Sequence, residues 1–335
     1  MLLRVTHETE LTYSDLISES AMELRVAPRQ EGDQHRLSFQ LAIGPSAGIT
    51  SYFDWLGNVV HTFMVNPFHN KIRIAATSVV EIDRATPDIW GIPDLWPISA
   101  NQIDDRYRDY LTFGGPIIDC AELRAAAASL SPRQGTRLAK SRLQLMQVVE
   151  QQFTYEKGIT TSASPITEIL AHKRGVCQDF THLLIGMARS LGIPARYVSG
   201  FVHRDGERTR GYAQTHAWCE MFVPSTGWIG FDPTNNCLIG KNFVKVAVGR
   251  DFRDVAPNRG VFRGKARETI DARVDIEELP GVPQSLVAER YHAIDLAVYL
   301  DRRVIEADMV TQQQEQQQQE DLHQQQEQQQ QSRPR

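Results

Sequence analysis

G-V-C-Q-D-F-T-H-L-L (175–184), followed by T-H-A-W-C-E-M-F (215–222) and G-W-I-G-F-D-P-T (227–234), is the stretch that decides how this chain folds. In the first segment Phe180, Leu183 and Leu184, continued by Met187 and Leu191, recur at helical spacing, and Gly192 and Pro194 supply the stop. A helix therefore begins at about Cys177. A-R-Y-V-S-G-F-V (195–202) reads as the strand after it. The second and third segments are strand-like, and Pro224-Ser225-Thr226-Gly227 between them reads as a hairpin turn. One helix followed by antiparallel strands gives an α+β core.

These segments also place a thiol, an imidazole and a carboxylate in the order of a nucleophile, a base and an orienting group: Cys177, His216 and Asp232. At a helix start, Cys177 meets outward-pointing N–H groups and the positive end of the helix dipole. A free thiol has a pKa of about 8.5, which such surroundings lower to roughly 3.5–7.5. The backbone N–H of Cys177 is placed where an oxyanion would form. Cys120, Cys219 and Cys237 lack this context and read as structural, Cys219 because it alternates away from His216. His182 lies five residues after Cys177, about 140° round the helix, and faces elsewhere.

Gln178 and Trp218 are candidate substrate contacts, with packing the commoner fate of a tryptophan. Asp232 precedes a proline and could equally cap a turn. A simple hairpin register, with Val223 opposite Trp228, would set Asp232 across from Cys219, about 10 Å from His216 along the strand. A shifted register or a bulge near Gly227 or Gly230 is needed to bring them together.

Upstream, residues 1–83 form a β-rich domain. L-L-R-V-T-H (2–7), A-M-E-L-R-V-A-P (21–28), H-R-L-S-F-Q-L-A-I (35–43), V-V-H-T-F-M-V (59–65) and K-I-R-I-A-A-T-S-V-V-E-I (71–82) are separated by turn formers and predict an antiparallel sandwich. Residues 84–135, with Pro87, Pro93, Pro97 and Gly114-Gly115-Pro116, read as a connecting region with short helices. The core spans 136–250 and opens with a helix over 136–153; Ser164-Pro165 starts a shorter one. Residues 251–310 form a C-terminal extension, with a helix within 282–310 from Leu286, Tyr291, Leu296 and Val298. Residues 311–335 are a Gln-rich tail with almost nothing apolar to bury, expected to be disordered.

With 335 residues and 41% hydrophobic content the chain can bury a real core. A formal net charge of −5 argues against nucleic-acid or anionic-membrane partners. Four cysteines without a C-x-x-C pair argue against a structural metal site, and the chemistry calls for no cofactor. No signal peptide or apolar run of about 18 residues is legible, so a cytoplasmic location with reduced thiols is expected.

The segments G-V-C-Q-D-F-T-H, I-P-A-R-Y-V-S-G, H-A-W-C-E and G-W-I-G-F-D-P-T stand in the order of the bacterial transglutaminase-like family, which the chain resembles over about 136–240. Residues 1–83 resemble the β-rich region that precedes such cores, through Y-F-D-W-L-G-N (52–58) and V-N-P-F-H (65–69). The resemblance implies a papain/transglutaminase-like core behind an antiparallel β-sandwich-like domain. It assigns Cys177 as nucleophile, His216 as base and Asp232 as the orienting group. Animal cross-linking relatives resemble G-x-C-W, whereas Gln178 follows Cys177 here, and no calcium loop is legible. The implied activity is that of a cysteine-dependent peptidase or amidase acting through a thioester on a peptide or protein, with a peptide-ligase-like protein as a partner. The alternatives are glutamine γ-glutamyl transfer and a non-catalytic peptide-binding module.

Overall fold

The alternation read in the first 83 residues becomes six strands: β1 (Leu2–Ile17), β2 (Glu19–Leu24), β3 (Gln34–Gly44), β4 (Ile49–Phe53), β5 (Val59–Val65) and β6 (His69–Ile82). The structure is a computed structural model and describes residues 1–66, 68–203, 210, 214–294 and 296. Along β1, Leu3, Val5, His7, Thr9, Leu11 and Tyr13 are buried, so every second side chain points inward. Leu11, Phe39, Leu41, Ile72 and Ile74 from one layer meet Met22, Leu24, Phe63 and Val65 from the other, which is the expected sandwich.

Further along lie α1 (Ala121–Ser129), α2 (Leu138–Gln152), β7 (Thr154–Tyr155), α3 (Ile166–His172), β8 (Arg174–Gly175) and α4 (Cys177–Ser190). Five strands follow, β9 (Ala195–Val202), β10 (His216–Val223), β11 (Gly227–Asp232), β12 (Cys237–Leu238) and β13 (Phe243–Gly249). They form one antiparallel sheet in the order β12-β11-β10-β9-β13. Ala217, Cys219, Met221 and Val223 point from β10 onto Phe180, Leu183, Leu184 and Met187 of α4. The opposite face of β10 carries His216, Trp218 and Glu220, each buried.

The last part departs from the sequence expectation. After α5 (Phe252–Val255) come β14 (Asn258–Arg263), β15 (Glu268–Glu278) and β16 (Glu289–Ala293), and all three return to the N-terminal sandwich. Its sheets are β15-β1-β6-β3-β16 and β14-β2-β5-β4. The stretch expected as an extension thus completes the first domain. The helix predicted from Leu286 and Tyr291 is instead strand β16 where described. It runs parallel to β3, with Phe39 N–H donating to Ala288 O at 3.0 Å and Ile294 N–H to Ile43 O at 2.8 Å. An unpaired edge of β3 offers more hydrogen bonds than a short isolated helix could keep. Val298 and the Gln-rich tail lie outside the described residues.

Side chains of the sandwich also seal the free edge of the core sheet. The Gln34 amide donates to Lys245 O and accepts from Lys245 N–H, both at 2.8 Å. Asn58 does the same at Val248, at 2.9 and 2.8 Å. Leu3, Val5, Val80 and Ile82 share a hydrophobic cluster with Phe201, Val244 and Val246. Among the described residues no helix is long and apolar enough to cross a membrane. Truncation after Pro257, which removes β14, β15 and β16, should therefore lower the melting temperature by roughly 10 °C or more, or abolish a cooperative transition. Near-native melting by circular dichroism would contradict the pairing described.

Candidate active site

Three elements converge at the start of α4. The parallel pair β7–β8 sets Tyr155 beside Gly175, and Glu156 N–H donates to Gly175 O at 2.8 Å. The chain then turns through Val176 into the helix, with Cys177 half-buried in its first turn. Asp179, wholly buried, accepts from Val176 N–H at 2.8 Å and from the Thr160 hydroxyl at 2.5 Å. This carboxyl fills the space above Gly175, where any Cβ would come within 2.6 Å of Asp179 Oδ2. Burial raises the Asp179 pKa, and its two hydrogen bonds oppose that rise. Gln178, partly exposed, donates through Nε2 to Ser162 O at 3.2 Å, so it ties the 160s loop to the start of α4.

The hairpin of β10 and β11 delivers the other two groups. Val223 pairs with Gly227 and Phe222 with Trp228, one residue away from the simple register. Thr226 N–H closes a turn onto Val223 O at 3.1 Å, and Gly227 follows with φ +88°, a three-residue loop ending in a left-handed glycine. A one-residue shift moves side chains to the other face of a ladder. Asp232 thereby comes beside Trp218, on the His216 face. His216 Nε2 lies 2.8 Å from Asp232 Oδ2, with both side chains inaccessible to solvent.

Asp232 is held from every side. Its Oδ1 accepts from the N–H groups of Thr234 at 2.8 Å and Asn235 at 3.2 Å, and its Oδ2 from Asn235 Nδ2 at 2.7 Å. Asn235 in turn accepts from Arg210 N–H at 2.8 Å and donates to Arg210 O at 3.1 Å. Burial alone would lower the His216 pKa, but the charge and hydrogen bond of Asp232, with Cys177 beside the ring, raise it to about 10. Since Asp232 occupies Nε2, the buried Nδ1, which has no other partner among the described residues, is left for the thiol. His182 shows the contrast. Equally buried, it accepts Phe252 N–H at 3.1 Å, and burial lowers its pKa to about 3.

The structure thus gathers Cys177, His216 and Asp232, and leaves Gln178 partly exposed against Ser162. Trp218 corrects the sequence reading. It is fully buried beside Val198, Ile239 and Phe243, with its ring 5.4 Å from that of Phe243, and cannot meet a substrate. Its bulk backs the imidazole at 6.4 Å. Cys219 is buried on the α4 face, whereas Cys237 pairs with Asp232 across β11 and β12. Tyr155, Asp179 and Asn235 escaped sequence reasoning, although D-P-T-N-N carries the turn signal that brings Asn235 to the carboxylate. Burial and the neighbouring Cys177 raise the Tyr155 pKa to about 12, so its hydroxyl remains a donor. No group of His, Cys, Asp and Glu suited to a metal occurs among the described residues.

A family model described as the transglutaminase-like superfamily matches residues 124–233, and one described as the bacterial transglutaminase-like N-terminal region matches residues 3–81. An uncharacterised protein of Mycobacterium leprae is 32% identical over 291 residues, covering 83% of this chain and 99% of that protein. The crystal structure of a candidate cysteine protease from Cytophaga hutchinsonii superposes with a TM-score of 0.71 at 21% identity, covering 86% of this chain and 93% of the other. A protein-glutamine gamma-glutamyltransferase of Pseudomonas aeruginosa is 28% identical over 148 residues, 42% of this chain but 22% of that protein. The chain belongs to the transglutaminase-like superfamily.

Two expectations follow. Gly227→Val forces a β-branched residue to positive φ, which costs about 1–3 kcal/mol or slips the hairpin, so denaturant unfolding should show at least that loss. Native stability would remove the hairpin argument. In Asp232→Asn the carboxylate no longer opposes burial, so ¹⁵N NMR should find His216 neutral at pH 7. Folding raises the His216 pKa from 6.5 to about 10, so the pair stabilises fully below about pH 6.5 and loses its effect as pH rises through 10. The stability advantage of the native chain over Asp232→Asn should shrink across that window; a constant difference would count against an imidazolium–carboxylate pair.

Proposed function

We propose that the chain is a cysteine-dependent amide hydrolase, a peptidase or amidase. The observation that carries this reading is the buried His216–Asp232 hydrogen bond of 2.8 Å beside a thiol at a helix start. A pair so placed favours a thiolate facing an imidazolium, since the raised His216 pKa keeps the ring charged at neutral pH. The thiolate attacks the amide carbonyl carbon, and the carbonyl π electrons move onto oxygen, toward the first-turn N–H groups of α4. Collapse breaks the C–N bond. The departing amine takes the proton from His216, leaving a thioester and a neutral imidazole. Water then attacks as His216 removes its proton, and a second collapse releases the acid and restores the ion pair.

An amine in place of that water would give transamidation, the reaction named for the Pseudomonas aeruginosa relative. Hydrolysis is preferred here because a polar Gln178, its amide held by Ser162 O, follows the thiol where the animal cross-linking pattern has an aromatic residue. Cys177→Ala should lower turnover at least about a thousandfold with the melting temperature preserved, whereas Cys219→Ala should keep most activity. Product analysis with a glutaminyl peptide and a labelled amine separates the routes: free acid supports hydrolysis, and incorporated label supports transfer. Turnover surviving in Cys177→Ala would defeat both.

A further inference from the structure

We propose that Arg210 receives a carboxylate next to the scissile amide, so that the cleft selects acidic peptides; this rests on the reading of Cys177 as the nucleophile. Arg210 is anchored through its main chain, not its charge. Asn235 grips its N–H and its C=O, and Asn235 is itself gripped by Asp232. The position of Arg210 is therefore tied to the carboxylate that orients His216. Its guanidinium lies over the Tyr155 ring, 5.5 Å from the centroid. Tyr155 pairs with Gly175, two residues before Cys177.

The cation thus lies over the ring of Tyr155, whose strand partner Gly175 stands two residues before the thiol of Cys177. Among the described residues no carboxylate pairs with it. Neighbouring charges differ in this respect: Arg174 is spent on Glu156 at 3.1 Å. Lys157, two residues after Tyr155, donates to the neutral Gln214 at 3.1 Å, with no carboxylate partner among the described residues. Among the described residues, neither cation has an acidic partner, in a chain whose formal net charge is −5. A guanidinium stacked on a ring keeps its edge N–H groups available, and that edge fits a carboxylate in two parallel hydrogen bonds. The stacking also holds the long side chain in place, which reduces the entropy lost on binding.

The test uses two isosteric thiol reagents, the chloromethyl ketones of acetyl-glutamate and acetyl-glutamine, which differ in charge but hardly in shape. Second-order labelling of Cys177, read by mass spectrometry at low salt, should favour the glutamyl reagent about fivefold to tenfold. The preference should fall to near unity in Arg210→Ala, persist in part in Arg210→Lys, and weaken as salt is added to the native protein. Equal rates in the native protein, or a preference unchanged in Arg210→Ala, would overturn the proposal while leaving the thiol reading intact. If neither reagent labelled Cys177 faster than Cys120 or Cys237, the hydrolase reading would fail and this inference with it.

Discussion

The register of the β10–β11 hairpin is the constraint on which the site depends. With Val223 opposite Gly227, the ladder puts Asp232 on the same face as His216. Moved by one residue, Asp232 would point toward α4, into a layer built of Ala217, Cys219 and Met221. There its charge would be stranded among apolar side chains and His216 would lose its partner. The shift is encoded at the far end of the hairpin, in a turn that ends with a left-handed glycine. A backbone preference five residues away therefore decides the charge state of the imidazole.

Burial makes that carboxylate effective. Asp232 accepts from four donors, so its charge is solvated by the protein rather than by water. The same principle recurs on this face of β10 at Glu220. Burial would raise its pKa, but Arg196 and Lys245, with oxygen–nitrogen distances of 2.6 Å to each, hold it down to about 2. Lys245 also reaches Glu31 of the sandwich at 2.7 Å. A buried cluster of this kind adds little net stability over an apolar one, yet removing one member strands the others. Its contribution here is to fix how β9, β10 and β13 meet the first domain.

What the sequence made legible was local. The helix at Cys177, the strands on either side of Pro224 and the alternation of residues 1–83 follow from periodicity and turn residues within short windows. Cys177, His216 and Asp232, which the structure brings together, could each be named as candidates because thiol, imidazole and carboxylate occur in short segments with recognisable neighbours. The non-local features were not readable. Nothing in A-E-R-Y-H-A (288–293) states that its partner is β3, some 250 residues earlier, and its sparse apolar residues fit a helix as well as an edge strand. Trp218 misled for a related reason: alternation placed it on the His216 face, but only the packing of Phe243 and Ile239 shows that this face is closed at that point. Asn235 and Tyr155 depend on a turn and a two-residue bridge, too short to leave a pattern.

The first domain is consequently part of how the site is held. The exposed edge of a sheet invites foreign strands, and β13 is such an edge. Gln34 and Asn58 each match one N–H and one C=O of β13, so two side-chain amides stand in for a neighbouring strand without extending the sheet. Gln34 belongs to the β3–β6 ladder, and that ladder shares its sheet with β15 and β16. The C-terminal strands thus brace the sandwich, the sandwich closes β13, and β13 supports β9 and β10. His216 sits at the end of that chain of contacts, in a position where a small displacement would separate it from Asp232.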